Sequence, residues 1–230
     1  AYHVIVHGLW RNYGDAGAIR EHYQGLEALI GYWWRHADPD GLVTIGGLGD
    51  WVDTLWPTQN TPTRAVSGFY TLLAVQYMSL FAKVLGKQDD VAKWDKLLTS
   101  GKAAYHARFY NSTAQGYCAD ALSPRGSQCA NIMALYLGTV PESLISTVTD
   151  SLVDDIQAND YHTTSGIVGS TFLFDVLTAT GHSDVALTML LRDNFPSFGH
   201  MVAEGATTLW ENWQGSRSVI KMSILVHSRQ

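Results

Sequence analysis

Charge, cysteine and long apolar runs are all scarce in this chain of 230 residues. Charged residues make up 16%, and the 15 Lys and Arg form no long run, so the patch that neutralises nucleic-acid phosphates is missing. A formal charge of −6 argues against anionic membrane surfaces for the same reason. No uninterrupted apolar stretch reaches the ~20 residues of a membrane span. The chain opens on Ala1-Tyr2-His3 with neither initiator Met nor signal peptide, which reads as a processed or clipped end. Two cysteines are too few for a disulfide framework. Cys118 and Cys129 flank a loop whose short span permits one disulfide or leaves two thiols. Asn111-Ser112-Thr113 is a glycosylation sequon, and together these features lean towards a secretory route.

Ligand sets for metals or phosphates are also wanting. His3 and His7 stand at i, i+4, but no Glu follows His3 as a zinc-protease motif requires. Gly46-Gly47-Leu48-Gly49 is followed by no Lys-Ser/Thr, so it is not a phosphate cradle, and no Gly-x-Ser-x-Gly elbow occurs. We therefore expect neither metal nor cofactor.

What the chain has is aromatic and helical. Eight Trp and eleven Tyr in a 46% hydrophobic chain suit a buried, aromatic-lined enzyme, and the length suits a single domain over 1–230. Val66, Phe69, Tyr70, Leu73, Tyr77, Leu80, Phe81 and Val84 fall at steps of three and four, the stripe of a long amphipathic helix. Leu144, Ile145, Val148, Leu152 and Ile156 repeat it after a start at Pro141-Glu142. Residues 167–177 are apolar on almost every side and predict a helix buried all round. Further helices are expected over 2–13, 16–36, 89–109, 127–137 and 183–192, about eight in all. Short strands are expected at Val43-Thr44-Ile45 and over 220–226.

Gly14-Asp15, Gly86 to Asp89 and Gly181 to Asp184 punctuate these helices. Glycine supplies the left-handed end of one helix and Asp the start of the next, as in tight αα-hairpins. Serial hairpins with longer loops at 38–62, 110–126 and 193–206 fit an all-α toroid whose cleft is built by the long loops.

Two aromatic-acidic segments carry the candidate chemistry. Gly205-Ala206-Thr207-Thr208-Leu209-Trp210-Glu211-Asn212-Trp213 places one carboxylate between two indoles. Indole faces stack on the C–H faces of sugars, and a carboxylate held among Trp210 and Trp213 loses hydration, which favours a general base. Otherwise Glu211 is a solvated helix glutamate beside core tryptophans. Gly49-Asp50-Trp51 offers a second acid and a third indole, with Asp53 and Trp56 close behind. Asp50 either faces a ligand or caps a turn. His200 either bonds a sugar hydroxyl or is structural.

The Trp-Glu block resembles the signature of the inverting α-L-rhamnosidases. Tyr161-His162-Thr163-Thr164-Ser165-Gly166-Ile167-Val168-Gly169, Asp184-Val185-Ala186 and Phe195-Pro196-Ser197-Phe198-Gly199-His200-Met201 are similar to the family too, as is Gly49-Asp50-Trp51. The resemblance implies an (α/α)6 barrel and a substrate with terminal α-L-rhamnose. It makes Glu211 the general base, and Asp50, Trp51, His200, Trp210 and Trp213 the sugar-binding residues, with Trp51 as an apolar wall. Base and acid would sit roughly 6.5–9.5 Å apart around a water.

Two departures stand out. The family's general acid lies in an Asp-Glu-Arg-x-Gly-Trp-x-Gly-Asp stretch that has no match here, as if the chain began inside the barrel. The family's Asn-His pair after the Trp-Glu block is replaced by Ser216-Arg217-Ser218-Val219-Ile220-Lys221-Met222, and His227 lies too far along to take its place. An incomplete ring would expose apolar faces that a preceding segment or a second copy covers. The alternatives to a rhamnosidase are another (α/α) toroid glycosidase or lyase, and a sugar-binding or assembly module without turnover.

Overall fold

The computed structural model describes residues 1–54, 61–118, 124–213 and 215. Trp56, the segment 216–222, the strand expected over 220–226 and His227 lie outside the described residues. The chain gathers into two compact units, residues 1–47 with 67–108 and residues 48–66 with 109–230.

The first unit holds α1 (Tyr2–Tyr13), α2 (Gly17–Trp34), and most of α3 (Thr63–Val84) and of α4 (Gln88–Phe109). Its turns follow the glycine-aspartate punctuation. Gly14 closes α1 at φ 68°, and Asp15 then accepts a hydrogen bond from the Gly17 amide at 2.7 Å. Gly86 adopts φ 71°, and Asp89 and Asp90 occupy the first turn of α4, where the helix dipole favours them.

The i, i+4 histidines of α1 are packing groups. His3 is buried against Trp33, its ring pushed down to about 4 by that burial, and His7 stacks on Tyr77 at 4.1 Å. The Tyr23 hydroxyl accepts from Trp94 Nε1 at 3.2 Å and donates to Asp90 at 3.0 Å, tying α2 to α4. By length and composition α3 is apolar enough to cross a membrane. However, 83% of its apolar window is buried within the protein, so it is a core helix. Val43 to Ile45 form no strand; the Val43 carbonyl instead accepts from the Thr71 hydroxyl at 3.3 Å.

The second unit contains β1 (Tyr110–Asn111) and β2 (Gly116–Tyr117), α5 (Gln128–Leu137), a 3-10 turn (Glu142–Leu144), and α6 (Ile145–Ala158). It continues with α7 (Ile167–Ala179), α8 (Ser183–Leu190) and α9 (Phe198–Ala203). Helix α5 packs on α6 and α7, and α7 on α8. Ser197, in extended conformation, caps α9 by accepting from the His200 amide at 3.0 Å.

Three features differ from expectation. The loop over 110–126 contains the β1–β2 hairpin, pairing Tyr110 with Tyr117 and Asn111 with Gly116. The loop over 193–206 contains α9. Helix α7 is not buried all round, because Thr171, Asp175 and Thr178 face outward. Asn111 is exposed, and its side-chain oxygen accepts from the Thr113 and Ala114 amides at 3.0 and 3.1 Å.

Candidate functional site

The site forms within the second unit around the start of α7. Gly166, the residue before α7, offers no side-chain cap, and the helix's first amides would go unsatisfied. Asp50 supplies the cap from far along the chain. Its carboxylate accepts from Gly166 N at 2.8 Å, Val168 N at 2.9 Å and Gly169 N at 3.2 Å. Gly166 also presses on the loop backbone, where a Cβ would fall 2.1 Å from the Trp51 carbonyl oxygen. That carbonyl accepts from the Ile167 amide at 2.9 Å. Residues 50–52 are thus fastened across the end of α7.

The geometry places Asp50 as a helix cap. Asp50 is 0% exposed and does not line the cavity described below. Burial pushes its carboxyl up to about 6, against the pull of the three amides and of the Cys129 thiol, which hydrogen-bonds to it. The same burial, with Asp50 alongside, drives the Cys129 thiol well above its ordinary value. Cys118 and Cys129 form no disulfide with each other, the second of the two readings their spacing allowed. Cys129 is fully enclosed and engaged with Asp50, while Cys118 occupies a left-handed turn position at φ 54° after β2. Asp53 is buried as well and lies outside the cavity lining.

Beside this anchor opens a cavity lined by residues from the 50s loop, α7, α9 and the Trp-Glu segment. Val52, Ile167, Phe198, Met201 and Leu209 give it apolar walls, Trp210 and Trp213 its indoles, and Glu211, Asn212, Ser170 and Thr171 its polar atoms. Glu211 Oε1 accepts from Trp51 Nε1 at 3.0 Å, whereas Oε2 is buried with no partner among the described residues. The Ser170 hydroxyl is likewise buried and without such a partner. Trp213 donates its N–H to the Ser165 carbonyl at 3.0 Å and meets Phe198 edge-on at 5.3 Å. Gly215 lies flush on Trp210, where a Cβ would fall 1.9 Å from the six-membered ring.

The structure therefore brings together Glu211, Trp210 and Trp213, as the sequence suggests. Trp51 is not among the lining residues of this cavity, and its N–H donates to Glu211. His200 is also absent from the lining, its ring set edge-on to Phe195 at 5.5 Å. Ser170, Val52, Asn212 and Met201 were not foreseen as site residues. Asn212 lies in the Trp-Glu block and Met201 in the motif around His200, whereas nothing local to Ser170 distinguishes it from any helix serine.

Behind the site, Gln128 at the start of α5 donates to Asp155 at 2.8 Å and accepts from the Thr164 amide at 2.9 Å, holding the approach to α7 in place. His162 extends that support to the Asn194 side chain at 3.0 Å.

Comparison with known proteins agrees with this architecture. The profile of the bacterial alpha-L-rhamnosidase 6 hairpin glycosidase domain matches residues 1–229. An alpha-L-rhamnosidase of Streptomyces avermitilis is 31% identical over 206 residues, covering 89% of this chain and 19% of the relative. The solved alpha-L-rhamnosidase from Dictyoglumus thermophilum superposes with a TM-score of 0.86 at 34% identity, covering 96% of this chain and 24% of that one. The Streptomyces avermitilis alpha-L-rhamnosidase complexed with L-rhamnose gives 0.80 at 29% identity, over 91% of this chain and 19% of that one. This chain thus spans a quarter or less of the length of these relatives. It belongs to the bacterial α-L-rhamnosidase six-hairpin glycosidase family, with the (α/α)6 fold of that domain.

Proposed function

We propose that this chain carries the general-base side of an α-L-rhamnosidase site that hydrolyses terminal α-L-rhamnose with inversion. One observation carries the reading: Glu211 stands in an aromatic cavity with one oxygen tied to Trp51 and the other left for a ligand or water. A buried polar atom without a protein partner is costly, so Glu211 Oε2 and the Ser170 hydroxyl both favour an occupant rich in hydroxyls. The apolar and indole walls suit the C–H faces and the methyl group of a deoxy sugar. The solved relative with L-rhamnose bound supports the choice of sugar.

In this scheme Glu211 Oε2 takes a proton from water as that water attacks the anomeric carbon, and a second carboxylic acid protonates the departing oxygen. Glu211 is the only carboxylate among the described residues of the cavity lining, so the acid is sought elsewhere in the full-length protein. That same fact favours, as a second reading, a site that binds rhamnose without turnover.

The test is Glu211→Gln in the full-length protein. It keeps the shape of the side chain and removes the base. Turnover of an aryl α-L-rhamnoside should fall roughly 10²–10⁴-fold while L-rhamnose still binds by calorimetry. Undiminished hydrolysis removes Glu211 from the role. Binding of L-rhamnose by a parent protein with no turnover establishes the second reading instead.

A further inference from the structure

We infer that Trp51 is a positioning residue whose indole N–H selects which oxygen of Glu211 receives the attacking water. The inference rests on the reading of Glu211 as the base, but it comes from a separate observation. Trp51 donates to Oε1 at 3.0 Å across 160 residues of sequence, and it does so from outside the cavity lining. That bond occupies Oε1 and fixes the plane of the carboxylate. Oε2, buried and unpartnered among the described residues, is the oxygen whose hydrogen-bonding capacity is left unused.

The donor is itself well anchored. The residue before Trp51 caps α7 through three amides, the Trp51 carbonyl accepts from Ile167, and Gly166 packs directly on that carbonyl. The indole therefore projects from backbone fastened on both sides. A hydrogen-bond donor held in this way orients a catalytic group without reorganising during the reaction. The bond to Oε1 is the contact through which Trp51 acts on Glu211.

The experiment uses the full-length protein and the variants Trp51→Phe, Trp51→His and Glu211→Gln, alone and in combination. Trp51→Phe keeps an aromatic ring and loses the donor. It should lower kcat by roughly 10–100-fold with little change in KM or in L-rhamnose affinity, the mark of an interaction made in the transition state. Adding Trp51→Phe to Glu211→Gln should cost nothing further, since one residue acts through the other.

Trp51→His retains a ring N–H and should keep more turnover than Trp51→Phe. If the Phe variant does not fold, the His variant decides: its kcat should stay within about ten-fold of the parent. A loss carried in KM instead of kcat, or losses that multiply in the double variant, would overturn the inference. If Glu211→Gln stays active, the base assignment falls. If Glu211→Gln is inactive and Trp51→Phe behaves as the parent, only the role of Trp51 falls.

Discussion

At the scale of single residues, Asp50 has the most measurable consequence. Burial raises its carboxyl from 3.8 to about 6 in the folded chain. The folded state therefore holds this proton more tightly than the unfolded state does. Its contribution to stability is fullest below about pH 4 and declines as pH rises through 6. Denaturation midpoints between about pH 4 and 7 should show that decline in the parent and lose it in Asp50→Asn; a parent without the slope contradicts the account. The neighbouring thiol gives a second check. An alkylating reagent should label Cys118 in the folded chain and reach Cys129 only after unfolding, since Cys129 is completely enclosed. Rapid labelling of Cys129 in the native protein would contradict its engagement with Asp50. Glu211 was legible in the sequence because its two indoles are close neighbours in the chain. The capping role of Asp50 could be listed as an option but not chosen, since its partners are 116 to 119 residues away.

At the scale of elements, the helices were legible wherever apolar stripes and glycine-aspartate turns coincide, as they do from α1 to α4. Shorter pieces escaped. Helix α9 has six residues, too few for a periodicity to emerge, and the β1–β2 strands have two each. The environment of α7 was misjudged because small and apolar residues alternate along it, and Thr171 and Asp175 reach solvent between them. The entry of the chain into α5 offers a direct measure of local stability. Ser127 is 1% exposed and accepts from the Ala130 amide at 3.3 Å while also meeting Thr61. Ser127→Ala should destabilise by about 1–2 kcal/mol, read from a chemical-denaturation midpoint. Gly166→Ala is expected to be worse, by about 3 kcal/mol, because the new methyl collides with main chain that has no room to withdraw. A Gly166→Ala protein as stable as its parent would show that the loop over α7 is looser than described.

For the whole molecule, the motifs placed the chain in its family before any geometry was known, because the Trp-Glu block, the Gly-Asp-Trp loop and the residues around Gly166 occur in family order. What they left undecided was division of labour: Asp50 caps α7, Trp51 donates to Glu211, and His200 is not among the residues lining the cavity. A ligand that binds only the folded form stabilises it by mass action. L-rhamnose at a hundred times its dissociation constant should raise the stability of the full-length Glu211→Gln protein by about 2.7 kcal/mol, visible as an upward shift in its melting temperature. A melting temperature indifferent to the sugar would mean that the cavity does not take it.

The side chains of Asp50 and Trp51 leave one short stretch of backbone for two different destinations, a helix end and a carboxylate. Any small displacement of α7 is accordingly transmitted to Glu211 through a single rigid link. An extra residue inserted between these two positions would leave both partners present yet out of step, so that a protein with every catalytic group intact would still work poorly.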